Sequence, residues 1–414
     1  MGVKMKKTNL EFLSLLKSSL KNEKYDGEKI DFEDLVYIYK MSEIHHVVPM
    51  IYNAAYNEDF SKECDANFQA MFKSSAFRYI FSQIQRTNHF LEVYKKLSEK
   101  NIKILVFKGI IFRNMYNNPD DRISSDEDIL IKKEDYEKVK EFFLSEGFEF
   151  IDKGEECAYF SKSNGLCIEV STSLFSHESK AYGHLNKLFF EDVFEKSIKI
   201  NIDKIDILTL SHEQHLIYIV FHNMKHFLTG GFGIRQVADF SKYIETYGEY
   251  INWEKFWSDL KDLNYDTFAL NLIEISLKYL GFNDDKITYP ANITSFDELK
   301  NSQKYYINSE SLINDILDAG VFGASTMDRK HTALMTLDAV EDKKKSNRLK
   351  AVFPNVNYLK DNYTYLQKYP ILLPVAWGQR ILSYLKKNKT SSYINTMELG
   401  KQRIELLKEY KIIK

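Results

Sequence analysis

The sequence predicts an α+β protein in which one small mixed β-sheet is embedded in a mostly helical chain. Glycine and proline, the residues that most often interrupt helices, number only 16 and 6 among 414 residues. That is roughly 5%, where about 12% is usual, and it favours long helices. A pattern of short strands, turns and helices occurs once, beginning near Ile102. Turn-rich all-β folds and disordered chains are excluded, because helix breakers are scarce and 44% of the residues are hydrophobic.

The length of the chain predicts several domains, because 414 residues exceed what one ordinary core accommodates. We expect an N-terminal helical region, an α/β core, a helical domain and a mostly helical C-terminal region. These cover residues 1–100, 101–205, 206–285 and 286–414. No stretch approaches the roughly 18 uncharged apolar residues of a membrane span.

Charge and cysteine content limit the partners and the setting. The net charge of −2 gives no whole-chain electrostatic case for binding nucleic acid or an anionic membrane. The three cysteines, Cys64, Cys157 and Cys167, lack the spacing of a metal site and favour a reduced, cytoplasmic setting. Cys157 and Cys167 either face each other across a hairpin or are separate buried thiols, and we favour separate thiols.

The N-terminal region is predicted to be a helical scaffold. Apolar residues recur at helical spacing from Leu10 to Leu20. The stretch from Asn67 to Lys100 contains neither glycine nor proline, and its apolar residues fit one long amphipathic helix.

The α/β unit begins where the composition changes, at Ile102. A short β-rich run from Ile102 to Phe107 is ended by Lys108-Gly109, and a helix is expected from Ile110 to Tyr116. Turn residues then precede a second strand from Asp126 to Ile131. A helix is then expected over 133–146, ended by Gly147, followed by an extended segment over 148–152. The unit closes with a hairpin, whose strands over 157–162 and 166–173 flank the turn Ser163-Asn164-Gly165.

Helices are expected again after the α/β unit. Ser211 and Gln214 form a capping box at the start of a histidine-rich helix. Three glycines, Gly230, Gly231 and Gly233, separate that helix from the next. Further helices are expected over residues 234–245, 253–263, 267–280, 376–387 and 393–411, with a polar connection over 283–310.

Carboxylates mark the α/β unit as the place where chemistry is expected. Asp126 and Asp128 lie two residues apart on a strand, so both side chains project from one face. Such a pair repels itself unless a cation neutralises it. If the strand that carries Glu169 is the neighbour, three carboxylates converge and supply the hard oxygen ligands that Mg²⁺ prefers. Solvated charges at a strand end are the alternative interpretation.

The order of these motifs resembles the DNA-polymerase-β-like nucleotidyltransferase superfamily, and most closely its uncharacterised bacterial nucleotidyltransferase family. The matching residues are Phe107-Lys108-Gly109, then Tyr116, Pro119 and Arg122, then Asp126-Glu127-Asp128. The resemblance extends to the helical regions on both sides and to residues 351–354 and 372–374. It implies that the small sheet is a nucleotidyltransferase core.

The resemblance also implies an activity. The expected reaction is the Mg²⁺-dependent transfer of a nucleoside monophosphate from an NTP, most simply ATP, to an unknown hydroxyl-type acceptor, which is a small molecule, a protein or RNA. The implied roles are catalysis and metal binding for Asp126, Asp128 and Glu169, and triphosphate binding for Lys108, Gly109 and Arg122.

One departure from the superfamily pattern affects this expectation. The chain has Lys108-Gly109 where the wider superfamily has Gly-Ser. The phosphate contacts would therefore come from Lys108, Arg122 or backbone amides at the start of the Ile110 helix. An inactive nucleotidyltransferase fold that serves as a nucleotide sensor or protein-interaction module is the alternative.

A second group of polar residues lies on the histidine-rich helix. His215, His222 and His226 are spaced to share one helix face. We favour the interpretation that these histidines are hydrogen-bonded within the fold. Zinc binding is not favoured, because no acidic or cysteine ligand lies at a suitable spacing. A contact of His222 or His226 with phosphate or acceptor is the remaining alternative. In related nucleotidyltransferases the helical domain closes one side of the cleft, so Arg235, after the glycine loop, is expected to contact phosphate.

Two features of the last third complete the candidates. The densest basic stretch runs from Lys343 to Lys350 and is most simply a solvated face. RNA contact, in an RNA-binding or RNA-end-modifying protein, is the alternative. An apolar face for the protein body or for a partner is expected from Trp377, Ile381, Tyr384 and Leu385.

Overall fold

The protein has the predicted α+β architecture, with a five-stranded mixed sheet between helical regions. The computed structural model describes residues 5–56, 64–154, 156–163, 165–290, 293–321, 327–341, 356–359, 363–379 and 391–413. The basic stretch from Lys343 to Lys350 and the residues Ile381, Tyr384 and Leu385 lie outside these ranges.

Four helices of the described residues precede the sheet: α1 (Lys7–Lys21), α2 (Phe32–Ile44), α3 (Val48–Ala55) and α4 (Ala66–Ser98). Asp65 caps α4 by accepting the Phe68 N–H, and the absence of breakers lets the helix continue for 33 residues. The long amphipathic helix is therefore confirmed. Its apolar residues do not all face the core, since Phe77 and Phe81 are 57% and 62% exposed.

The main sheet contains β1 (Ile104–Val106), β2 (Glu127–Ile131), β3 (Glu149–Asp152), β4 (Cys157–Ser161) and β5 (Cys167–Ser171), in the order β1-β2-β5-β4-β3. The short helix α5 (Ile110–Arg113) joins β1 to β2, and α6 (Tyr136–Ser145) joins β2 to β3. Strand β2 pairs parallel with β5, while the other neighbours are antiparallel.

The hairpin register settles the cysteine question. Cys157 lies opposite Ser171, and Cys167 lies opposite Ser161, so the two thiols stand at opposite ends of the ladder. Both are free, as predicted, although both are half-buried rather than fully buried.

The described residues after the main sheet are helical apart from one small hairpin. After α7 (Leu185–Phe189) come β6 (Ile198–Ile202) and β7 (Ile205–Thr209), which pair only with each other in a second sheet of the described residues. The helices that follow are α8 (His212–Thr229), α9 (Ile234–Tyr247), α10 (Trp253–Asp262), α11 (Asp266–Leu280), α12 (Phe296–Asn301), α13 (Ser309–Ala319), α14 (Met327–Glu341), α15 (Val356–Leu359), α16 (Tyr365–Lys368), α17 (residues 373–379) and α18 (Ser391–Glu409).

Two predictions for this part of the chain need correction. The connection over residues 283–310 contains α12, because Ser295 caps it and Phe296 and Leu299 are buried. The capping box of α8 forms only in part. Ser211 Oγ accepts the Gln214 N–H, but the Gln214 amide donates to Phe189 O and Asp192.

A single cluster of buried apolar side chains extends from α1 to α18 and includes both faces of the main sheet. Trp377 packs in a separate small cluster with Leu359, Leu366 and Ala376. None of the helices in the described part of the chain is long and apolar enough to cross a membrane. The division into four domains remains a prediction.

The turn after β1 requires a glycine at position 109. Gly109 has φ +48°, and a Cβ there would stand 2.0 Å from Glu127 Oε2. That carboxylate accepts the Ile110 N–H at 2.8 Å and forms an ion pair with Arg113 at 2.6 Å, with all three side chains buried. A side chain at position 109 would therefore displace Glu127 from both partners.

We predict that Gly109→Ala lowers the free energy of unfolding by about 3 kcal/mol or more, because backbone strain adds to the loss of a buried ion pair. Gly147→Ala is the matched control. Gly147 also has a positive φ, but a Cβ there meets nothing within 4 Å, so only about 1 kcal/mol of strain is expected. Urea unfolding followed by circular dichroism measures both, and equal losses would contradict the proposed clash with Glu127.

Candidate active site

A cavity of about 310 Å³ lies between the strands β2 and β5 and the helices α8 and α9. All the residues predicted to act on substrate or metal line it, namely Lys108, Gly109, Arg122, Asp126, Asp128, Glu169 and Arg235. His222 and His226 also line it, whereas His215 is not among its lining residues. The structure thus brings the candidates together, and their roles in binding and catalysis remain predictions.

The parallel pairing of β2 with β5 brings the carboxylates together. Asp128 lies directly opposite Glu169 in the register, and Asp126 immediately precedes β2 and also faces the cavity. The sequence expectation that Glu169 lies on the neighbouring strand is confirmed.

Asp128 is held by the lysine of the turn. Lys108 Nζ lies 2.5 Å from Asp128 Oδ1, and Asp128 is only 2% exposed. Burial raises the pKa of Asp128 above its ordinary value, and the Lys108 ammonium group opposes this shift. No described residue gives Asp128 Oδ1 a hydrogen bond of regular geometry, so this oxygen depends on the lysine charge alone.

Glu169 is held by the opposite strand of the hairpin. Tyr159 lies across from it in the register, and its hydroxyl donates to Glu169 Oε2 at 2.5 Å. Burial opposes ionisation of Glu169, but Lys108 and the Tyr159 hydrogen bond outweigh burial and hold its pKa below the ordinary value.

This donor set fits a hard divalent cation in its chemistry. Three carboxylates face one cavity, and oxygen ligands of this kind are those that Mg²⁺ prefers. They are not preassembled, since no three His, Cys, Asp or Glu side chains of the described residues group as a metal site. Lys108 and Tyr159 occupy the carboxylates instead, so a cation would compete with Lys108 for Asp128.

The loop before Asp126 is anchored by helices on both sides. Ser124 N–H donates to Gln83, Ser124 O accepts from Arg86, and both of these partners come from α4. On the other side, the Arg122 guanidinium binds the Asp239 carboxylate through Nε and Nη2, at 3.0 and 2.6 Å. A buried two-point pair of this kind holds the loop against α9.

Two expected phosphate contacts are already engaged in this structure. The Ile110 N–H binds Glu127, so the amide at the start of that helix is not available as predicted. Arg122 faces the cavity, but Nε and Nη2 bind Asp239 and Nη1 donates to Ser124. The contacts of Arg122 with substrate therefore remain a prediction.

The helical wall of the cavity belongs to α8 and α9. Arg235 is buried there, and its Nη1 donates to Ile123 O. His222 and His226, one turn apart on α8, are hydrogen-bonded through their Nε2 atoms at 3.1 Å. Burial lowers the pKa of His226 to about 3 and that of His222 well below the ordinary value, so both rings are neutral.

His215 has a structural role. Its Nε2 lies 2.6 Å from Phe107 O, a carbonyl that can only accept, so Nε2 carries the hydrogen. The contact ties α8 to the end of β1, next to Lys108. The interpretation of a histidine satisfied within the fold is therefore correct for this residue.

The family is shown by comparison with known proteins. Residues 31–281 match the family model described as "Uncharacterised nucleotidyltransferase". The chain belongs to this nucleotidyltransferase family. No curated protein matches it.

A solved structure that resembles the chain comes from Paracoccidioides brasiliensis, an antigenic nucleotidyltransferase-like protein. The identity is 13% and the TM-score 0.33, and the match covers 50% of this chain and 96% of that one. At this level the two structures share too little for a comparison of individual residues.

Several residues of this candidate site were missed from the sequence. Tyr159 could have been found, because the turn predicted at Ser163-Asn164-Gly165 pairs it with Glu169 across the hairpin. Glu127 carried a signal as well, since alternation places it on the same strand face as the apolar Ile129 and Ile131. Asp239 had no local signal, because its partner Arg122 is 117 residues away.

We predict that Lys108→Met increases the affinity for Mn²⁺ in the absence of nucleotide by about 10-fold or more, because the competing ammonium group is removed from Asp128. Lys133→Met, at an exposed lysine just after β2, is the control and should leave the affinity unchanged. Electron paramagnetic resonance of free Mn²⁺ measures both. Unchanged or weaker binding by Lys108→Met would show that the lysine does not compete with the cation.

We also predict that His215 makes the fold sensitive to acid. Burial lowers the pKa of His215 to about 3, below the roughly 6.5 of an unfolded histidine. The unfolded chain therefore binds the proton first, and stability is complete above about pH 6.5 and falls as the pH drops toward 3. His215→Gln should reduce the slope of unfolding free energy against pH by up to about 1.4 kcal/mol per unit between pH 6 and 4. An unchanged slope, as expected for the exposed-site control His184→Gln, would contradict this role.

Proposed function

We propose that this protein is an enzyme that transfers a nucleoside monophosphate from an NTP, with ATP as the expected donor, to a hydroxyl-type acceptor in a Mg²⁺-dependent reaction in the cytoplasm. We further propose that its family is a bacterial branch of the DNA-polymerase-β-like superfamily. The observation that carries the proposal is the parallel pairing of β2 and β5, which sets Asp128 opposite Glu169 beside Asp126 and the Lys108-Gly109 turn.

The proposed roles follow from charge and position. Asp126, Asp128 and Glu169 would hold Mg²⁺, which neutralises phosphate charge when it is bound. Lys108, released from Asp128, would bind the triphosphate together with Arg122 and Arg235. Gly109 allows the backbone to approach the phosphates closely, because it has no side chain.

The bond changes of the proposed reaction are those of a phosphoryl-type displacement. The acceptor oxygen forms a bond to the α-phosphorus, and the bond from that phosphorus to the bridging oxygen breaks. Pyrophosphate leaves with the electron pair, and the hydroxyl proton passes to Glu169, a carboxylate that its lowered pKa keeps ionised.

One observation favours a second candidate, a nucleotide sensor without activity. The Lys108–Asp128 ion pair is buried, and a site that keeps its lysine on the carboxylate would bind nucleotide without activating it. Pyrophosphate release during a screen of NTPs, with cell extract as the source of acceptor, separates the two. Release that depends on Asp128 supports the enzyme, and nucleotide binding without release supports the sensor.

We predict that Mg²⁺ raises the affinity of the wild-type protein for an NTP by about 10-fold or more, which corresponds to about 1.4 kcal/mol. The double variant Asp126→Asn/Asp128→Asn should lose this dependence, because its amides bind Mg²⁺ far more weakly than carboxylates. Isothermal titration calorimetry with and without Mg²⁺ measures it. Glu149→Gln, at an exposed carboxylate on β3, is the control. Equal affinities in all proteins and conditions would refute the metal site.

A further inference from the structure

The helical wall of the cavity carries hydrogen-bond donors that no described residue satisfies. Asn223 is 1% exposed, and its Nδ2 has no hydrogen-bond partner among the described residues. Arg235 is 8% exposed, and its Nε also has no hydrogen-bond partner among the residues that the structure describes. Both side chains line the cavity. A buried donor without a partner costs about 1–3 kcal/mol, so such donors indicate a ligand that offers acceptor atoms.

Lys225 adds a positive charge to the same wall. No carboxylate of the described residues lies within ion-pair distance of it, and its Nζ instead stands 5.8 Å from the centre of the Tyr182 ring. Burial, together with the nearby charge of Lys108, lowers the pKa of Lys225. A ligand with a negative charge would relieve this desolvated ammonium group.

Lys225 and Arg235 interact with different charged groups of the cavity. The charge of Lys225 interacts with Glu169 and Asp128, whereas Arg235 interacts with Arg122, Asp239 and Asp126. Arg235 therefore interacts with Arg122, where the proposed function puts the triphosphate. Lys225 interacts with Glu169, the residue proposed to take the acceptor proton.

Asn223 and Lys225 are on the same helix as the hydrogen-bonded pair His222 and His226, and all four side chains line the cavity. The histidines are neutral, so they add polarity without charge, and Lys225 is the charged group of this surface. The α8 wall of the cavity thus carries an unpaired cation that interacts with Glu169, an unpaired amide donor and a neutral polar pair.

We propose that the α8 wall of the cavity is an acceptor subsite for a hydroxyl compound that carries an oxyanion, with Lys225 binding the oxyanion, Asn223 donating to the same compound and the hydroxyl group facing Glu169. The subsite rests on the proposed function and names the acceptor class for it. A small anionic alcohol, such as a sugar phosphate or a hydroxy acid, has the required chemistry. Phosphate and carboxylate both present oxygen acceptors to an ammonium and an amide, so the experiment distinguishes them.

The test compares three probes that share one carbon skeleton: glycerol 3-phosphate, glycerate and neutral glycerol. Each is titrated calorimetrically into the full-length protein, with and without Mg²⁺ and α,β-methylene ATP. We expect at least one anion to bind about 10-fold or more tightly than glycerol, since a charge-assisted hydrogen bond contributes that much. Binding of glycerol 3-phosphate alone identifies phosphate as the oxyanion, and binding of glycerate alone identifies carboxylate.

Variants assign the binding to this surface. Lys225→Met should weaken anion binding about 10-fold or more, while Lys225→Arg, which keeps the charge, should retain most of it. Asn223→Leu should weaken it less, because a neutral donor is lost. The control is Lys180→Met at an exposed lysine. Affinity for α,β-methylene ATP should stay within about 2-fold in Lys225→Met, and thermal unfolding verifies that each variant is folded.

The outcomes separate the two proposals. Anions that bind no better than glycerol, or equally well in Lys225→Met and wild type, would overturn the subsite. If the nucleotide binds but neither anion does, the subsite is overturned and the proposed function is unaffected. If the nucleotide does not bind the wild type, the proposed function is overturned. If anion binding in that case still depends on Lys225, it supports the oxyanion-binding surface alone.

Discussion

The buried carboxylate of Glu127 is the interaction on which the rest of the site depends. It accepts the Ile110 N–H and pairs with Arg113 on the packed side of β2. A buried charge is tolerated only where partners surround it, so these contacts lock the turn after β1 against the start of β2. Because successive residues of a strand face opposite sides, directing Glu127 inward also directs Asp126 and Asp128 toward the cavity.

The helical majority of the chain supports this small sheet rather than merely surrounding it. Helix α4 holds the loop before β2 through hydrogen bonds to Ser124, and α9 holds the same loop through the Arg122–Asp239 pair. Helix α8 is tied to the end of β1 by the His215 hydrogen bond to Phe107 O. The cavity is therefore bounded by carboxylates on a rigid sheet and by donors on helices whose positions these contacts define.

Much of the fold could be predicted from the sequence because its signals are local. The scarcity of breakers predicted long helices, the glycines marked turns, and alternation assigned Asp126 and Asp128 to one face. The expectation that the Glu169 strand pairs with the strand of Asp126 and Asp128 was confirmed by the structure. The expected contact between the Ile110 amide and phosphate was wrong, because that amide donates to Glu127 instead.

The sequence by itself determined the elements of the sheet, the carboxylates that it carries and the nucleotidyltransferase family, since strand alternation, turns and motif order are properties of short stretches of chain. Only the tertiary structure decided which charges meet. Lys108 contacts Asp128 and Arg122 contacts Asp239, while Lys225 is left without a carboxylate among the described residues. The physical reason is that pairing between charges depends on how separate elements pack together, across 117 residues of sequence for Arg122 and Asp239, which no local pattern records.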